Sequence, residues 1–148
     1  MLTIFEVKNR PTFNPLIVHC ANWQMVQLYV KNIPNKAHLL AEKLMPGPLT
    51  FLLDKKEIIP DLVTAGSSKL AIRVPNHPLT LSLLKELNFP LAAPSANPFG
   101  YISPTTADHV LQSLGGKIPY ILDGGPSQVG LESTIIGFGE NEEIILYR

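Results

Sequence analysis

The chain is 148 residues long, 45% hydrophobic and only 16% charged, with a formal net charge of zero. That is enough chain for one buried core, and too apolar a chain for disorder. It also carries too little net charge to grip nucleic acid by bulk electrostatics, although a local basic patch stays open.

Fourteen prolines cut the chain into short elements, and the single cysteine, Cys20, excludes an intrachain disulfide framework. No apolar run approaches the ~20 residues of a membrane span. No signal peptide precedes the first charges, so a cytoplasmic protein without membrane contact is expected.

Met1 to Val7 reads as the last turns of a helix with no N-cap, which points to sequence upstream. Lys8-Asn9-Arg10-Pro11 and a turn through Asn14-Pro15 follow. Leu16 to Cys20 is short, continuous and apolar, the pattern of a buried strand ending in a buried thiol. Asn22 is placed to cap a helix running to Lys31, with Trp23, Val26, Leu28 and Val30 as its apolar stripe. A second helix, Lys36 to Leu44, carries Ala37, Leu40, Ala41 and Leu44. Met45-Pro46-Gly47-Pro48 then forms a rigid corner before the strand Leu49 to Leu53.

Ile58 to Ala65 reads as a short helical turn, and Leu70 to Val74 as a strand with Arg73 embedded in it. Pro78 to Leu87 is a helix with proline at its first position. Leu91-Ala92-Ala93 reads as a buried strand feeding a loop stiffened by Pro94, Pro98 and Gly100. Ser103-Pro104 reads as the start of a helix that stops at Gly115-Gly116. Tyr120-Ile121-Leu122 is β-like and ends in the turn Asp123-Gly124-Gly125-Pro126. Glu132 to Ile136 and Ile144 to Tyr147 pair as a hairpin. The order of elements predicts an α/β (α+β) fold, a single domain over 1–148 with a mixed sheet.

The chain has no Walker loop, no Gly-x-Gly-x-x-Gly, no Cys-x-x-Cys and no nucleophile elbow. Its histidines are scattered, so no metal site built from protein side chains is expected. What remains is cations and small polar groups at strand ends. In an extended segment Lys8 and Arg10 point to one face, either to clamp a polyphosphate or as a solvated pair. Arg73 in an apolar strand requires a ligand carboxylate or a structural ion pair. His19 faces a cleft or sits in the core. Ser133-Thr134 offers hydroxyls to a ligand or simply starts a strand. Ser95 and Asn97, on a stiff loop ahead of a helix start, fit an anion-binding loop or an ordinary connection.

In order, these pieces resemble the YrdC-like domain, the threonylcarbamoyl-adenylate synthase family (YrdC/YciO/YwlC type). The runs that carry the resemblance are Lys8-Asn9-Arg10-Pro11, Asn14 to His19 and Pro46-Gly47-Pro48-Leu49-Thr50. Ile72-Arg73-Val74-Pro75, Pro94-Ser95-Ala96-Asn97 with Gly100 and Ser103-Pro104-Thr105, and Glu132-Ser133-Thr134 complete the set. The resemblance implies a twisted mixed β-sheet flanked by helices, layer-packed, with an open ligand cleft. It implies formation of threonylcarbamoyl-AMP and pyrophosphate from L-threonine, bicarbonate and ATP, with Mg²⁺ on the nucleotide. Partner proteins would then transfer the group to tRNA.

By the same resemblance Lys8 and Arg10 are the catalytic cations, and with Asn14, Ser95, Asn97, Ser103 and Arg148 they form the nucleotide site. His19, Arg73 and Ser133 hold threonine. A Thr-Asp/Glu-Thr-x-Tyr-Gly-Leu motif that precedes these runs in the family is absent, so a chain lacking the N-terminal segment is expected, with an unpaired sheet edge. The rival expectation is a non-catalytic member of the fold, binding nucleotide or weakly binding double-stranded RNA, or an inactive fragment. The related domain of hydrogenase maturation proteins is disfavoured, because zinc-finger-like cysteines are missing.

Overall fold

Short apolar runs separated by proline corners build a mixed sheet, seen in a computed structural model that describes residues 1–148. The chain divides into two compact units. The first is Met1–Asn14 with Pro94–Leu131, and the second is Pro15–Ala93 with Glu132–Arg148.

All strands lie in the second unit: β1 (Ile17–His19), β2 (Val30–Lys31), β3 (Leu49–Lys55), β4 (Lys69–Arg73), β5 (Leu91–Ala93), β6 (Thr134–Phe138) and β7 (Ile144–Leu146). They are ordered β5-β1-β4-β3-β6-β7, with β2 pairing β3 off that path. The β1–β4 and β3–β6 pairs are parallel; β1–β5, β2–β3, β3–β4 and β6–β7 are antiparallel. Parallel pairs need crossovers, and the helices α2 (Trp23–Tyr29), α3 (Asn35–Leu44) and α4 (Asp61–Thr64) lie on the connections between β1 and β4. Helix α5 (Pro78–Glu86) joins β4 to β5.

The core of this unit follows from strand alternation. Phe51 and Leu53 of β3 face Ile72 and Leu70 of β4 in register, and all four are buried. Trp23 and Phe138 meet the Phe51 ring edge-on, each with centroids 5.7 Å away. Asn22 caps α2 as expected, its Oδ1 accepting from the Met25 N–H at 2.8 Å. Helix α3 begins after Pro34, which offers no side-chain cap. Glu142 supplies one instead, accepting from the Asn35 and Lys36 N–H groups at 3.1 and 3.4 Å. Gly47 is required at the corner after α3, because a Cβ there would collide with the Leu44 carbonyl.

Several expectations shift. Helix α2 ends at Tyr29, and Val30–Lys31 leaves it to pair with Lys55 and Asp54, so Val30 is buried in a strand while Leu28 stays exposed. Leu44 is exposed too, and Ala37 and Ala41 alone are fully buried in α3. Strand β5 is an edge strand, half-buried throughout rather than buried. The β6–β7 hairpin forms as read, with Ile136 opposite Leu146.

The first unit carries α1 (Leu2–Lys8) and α6 (Ala107–Leu114). Asn9 ends α1 in the left-handed conformation at φ 52°, a role asparagine takes more readily than most residues, and the Arg10 N–H reaches back to the Phe5 carbonyl at 2.8 Å. Tyr120 to Leu122 joins no ladder, and both Tyr120 and Leu122 are exposed. No helix of the chain is long and apolar enough to cross a membrane.

Candidate functional site

The predicted residues fall into two clusters, one in each unit. In the first unit, Lys8 departs from its expectation. It is the last residue of α1 rather than part of an extended segment, and it is 5% exposed rather than solvated. Its ammonium donates to the Ser95 carbonyl at 2.6 Å, to the Asn97 carbonyl, and to Asn97 Oδ1 at 3.1 Å. Burial, and then the charge of Arg10, lower the Lys8 pKa from 10.5 to about 8. Arg10, beyond the left-handed Asn9, donates from Nη2 to Asn14 Oδ1 at 2.8 Å and from Nε to the Asn14 carbonyl at 3.3 Å. Its guanidinium also stands 5.7 Å from the Phe99 ring centroid, so the Asn14 and Phe99 contacts orient it together.

Asn97 is the hub of this cluster. It is buried; its Oδ1 also accepts from Ser95 Oγ at 2.6 Å, and its Nδ2 donates to the Tyr101 and Ile102 carbonyls at 2.6 and 3.0 Å. Gly100 takes φ +84° within that closed loop, a conformation glycine enters without a Cβ penalty. Ser103 lies just beyond the loop, but it does not start the helix. Thr106 is the cap, its Oγ1 accepting from the His109 N–H at 3.3 Å, so α6 and its dipole begin three residues later than the Ser-Pro signal suggests.

The second cluster lies in the sheet. His19 and Arg73 are the last residues of the parallel neighbours β1 and β4 and are register partners. Ligands gather outside the carboxyl ends of parallel strands, which is where these two side chains are placed. His19 Nε2 meets the Ala93 carbonyl at 3.2 Å, and burial, with the nearby Arg73 charge, lowers its pKa from 6.5 to about 4. It is therefore neutral at pH 7 and, in this contact, carries its proton on Nε2.

Arg73 Nε is buried and has no hydrogen-bond partner. Burial, and then the charge of Arg148, push its pKa down, so the charge beside it is a second cation rather than a carboxylate. The structural ion pair admitted for Arg73 is not what its surroundings provide. Ser133 is buried, and its Oγ shares a 2.7 Å hydrogen bond with Oγ1 of the fully buried Thr50. Arg148 donates to the Ser133 carbonyl from Nε and Nη2, at 3.2 and 3.1 Å, and reaches Ser133 Oγ at 3.3 Å. Arg148, read as a nucleotide contact, thus sits with Ser133 and Arg73.

Thr50 closes the Pro46 to Thr50 run, but that run by itself gives it no role beside Ser133. A hydroxyl inside Leu49-Thr50-Phe51-Leu52-Leu53 was the available signal, because a polar atom in a buried strand requires a partner.

A donor set of this kind, cations and neutral hydroxyl, amide and imidazole groups without carboxylates, suits anionic ligands. It does not suit a resident divalent metal, and no three His, Cys, Asp or Glu side chains converge anywhere in the chain.

Comparisons with known proteins agree on one family. The Sua5/YciO/YrdC family model, described as "Telomere recombination", matches residues 1–148. The threonylcarbamoyl-AMP synthase of Pyrococcus abyssi is 44% identical over 143 residues, covering 97% of this chain and 42% of the relative. That of Bacillus subtilis is 44% identical over 144 residues, with the same shares. The chain thus spans about two fifths of the length of these two relatives.

Among solved structures, P. abyssi Sua5 complexed with L-threonine superposes with a TM-score of 0.94 at 44% identity, over 98% of this chain and 42% of that one. Escherichia coli YciO, at 21% identity and a TM-score of 0.86 over 100% of this chain and 71% of its own, shares the fold. The chain belongs to the Sua5/YciO/YrdC family.

Proposed function

We propose that this chain contributes the adenylating centre of a threonylcarbamoyl-AMP synthase, which makes threonylcarbamoyl-AMP and pyrophosphate from L-threonine, bicarbonate and ATP. The product would serve tRNA modification through partner proteins that transfer the threonylcarbamoyl group to an adenosine. The observation that carries the reading is the buried Arg73 Nε without a partner, beside Arg148 and Ser133. A half-buried guanidinium with a buried, unpartnered Nε and a second cation beside it carries a desolvation cost that a ligand carboxylate would offset. The relative that was crystallised with L-threonine supports an amino acid as that ligand.

In this reading His19, Arg73 and Ser133 hold threonine, with Arg73 on its carboxylate. Arg148, against Ser133, adds a second positive charge. Arg10, Asn14, Ser95, Asn97 and Ser103, all in the first unit, hold the nucleotide, and Lys8 and Arg10 bring positive charge there. Mg²⁺ enters as part of the substrate, on the ATP oxygens. The threonine amine takes up carbon dioxide from bicarbonate to give a carbamate, and a carbamate oxygen attacks the α-phosphorus. The bond from the α-phosphorus to the bridging oxygen breaks, and pyrophosphate leaves. The protein's part is positioning and charge neutralisation, since attack comes from the substrate itself and needs no side-chain nucleophile.

The test is pyrophosphate release with ATP, Mg²⁺, bicarbonate and each amino acid in turn. Turnover that requires threonine supports the reading, and turnover indifferent to the amino acid contradicts the substrate assignment. Nucleotide binding without turnover would mark the chain as a non-catalytic member of the fold.

A further inference from the structure

Lys8 and Arg10 form one signature in sequence, but the structure gives them different positions. A lysine ammonium has three N–H donors and no acceptor. Lys8 meets three protein oxygens: the Ser95 carbonyl, the Asn97 carbonyl and Asn97 Oδ1. The donors are therefore matched one for one, within a side chain that is almost wholly buried. The backbone repeats the link, because the Lys8 carbonyl accepts from the Phe99 N–H at 2.7 Å. From Asn97 the network runs on through Nδ2 to the Tyr101 and Ile102 carbonyls, directly ahead of Ser103. Arg10, in contrast, is partly exposed.

We propose that Lys8 is a positioning residue that ties the end of α1 to the 94–102 loop and shapes the nucleotide site through Asn97, while Arg10 is the cation that meets phosphate. The proposal rests on the nucleotide reading of this loop. A phosphate oxygen bonding Lys8 would have to displace a protein oxygen and leave it buried without a donor, which opposes direct contact. Phosphate contact is thereby separated from loop order within one three-residue motif.

The experiment compares the wild-type chain with Lys8→Met, Lys8→Arg and Arg10→Met. Equilibrium binding of ATP and of adenosine is measured, together with amide hydrogen exchange over residues 95–103 without ligand. Lys8→Met is expected to speed exchange across the loop and to weaken ATP and adenosine alike, by about tenfold or more. Lys8→Arg, which keeps the charge and loses the geometry, is expected to behave the same way. It also serves as the second variant should Lys8→Met fail to fold. Arg10→Met is expected to leave loop exchange unchanged and to weaken ATP about 10–100-fold more than adenosine.

A Lys8→Met chain with an ordered loop that loses ATP but keeps adenosine overturns the proposal, as does a Lys8→Arg chain that binds ATP normally. If the wild type binds neither ligand, the nucleotide reading fails, and the exchange pattern still decides whether Lys8 orders the loop.

Discussion

His19 and Arg73 end two parallel strands as register partners, and the Arg73 charge joins burial in keeping the His19 ring neutral. With a folded pKa of about 4 against 6.5 unfolded, His19 binds fewer protons in the native state between those values. Stability from this group is complete above the unfolded pKa and is lost as pH falls from 6.5 toward about 4. His19→Gln should therefore lessen the decline of the urea midpoint across that window. An unchanged slope would mean that His19 takes up its proton in the folded chain.

Arg73→Met exchanges a half-buried cation, whose buried Nε has no partner and which stands beside another cation, for an apolar side chain of similar length. The melting temperature should hold or rise, because the desolvated charge is relieved. Threonine binding, followed by calorimetry, should weaken by about 10–100-fold, the worth of a charged hydrogen bond. Unchanged affinity would remove Arg73 from the carboxylate role.

The Thr50 and Ser133 hydroxyls are each other's partners within a buried contact. Thr50→Val leaves the Ser133 hydroxyl with only its 3.3 Å contact from Arg148 and should cost about 1 kcal/mol. The double variant Thr50→Val/Ser133→Ala should cost less than the sum of the single changes, since both hydroxyls are then gone. Urea unfolding of the four chains measures this coupling, and strict additivity would show that the contact contributes nothing.

Cys20 is fully buried, and burial pushes its thiol pKa up to about 12. A thiol reagent such as DTNB at pH 8 should label the native chain at least ~100-fold more slowly than the chain in denaturant, because labelling must await opening. Fast native labelling would place Cys20 at an accessible surface.

Local chemistry made much of the second unit legible. Asn22, Pro78 and the turn between β6 and β7 act within a few residues, and their elements form where the pattern puts them. Long-range pairing hid the rest. Val30 and Lys31 look helical until β3 pairs with them, and Tyr120 to Leu122 look like a strand but join no ladder. Ser103-Pro104 carries a helix-start signal, yet Thr106 caps the helix.

The candidate residues themselves were readable as cations and small polar groups in apolar settings. Their division of labour was not. The oxygens that hold Lys8 lie 87 and 89 residues away, and Thr50 finds Ser133 across 83. No local pattern encodes such contacts.

The proposed reaction joins threonine to bicarbonate and activates the product on ATP. Its most direct measurement is chromatographic: [¹⁴C]bicarbonate is supplied with ATP, Mg²⁺ and L-threonine, and label is sought in an adenylate product. Label should enter that product only when threonine and ATP are both present, and Arg73→Met should reduce it. Label in an adenylate without threonine, or pyrophosphate release with no labelled adenylate, would contradict the account.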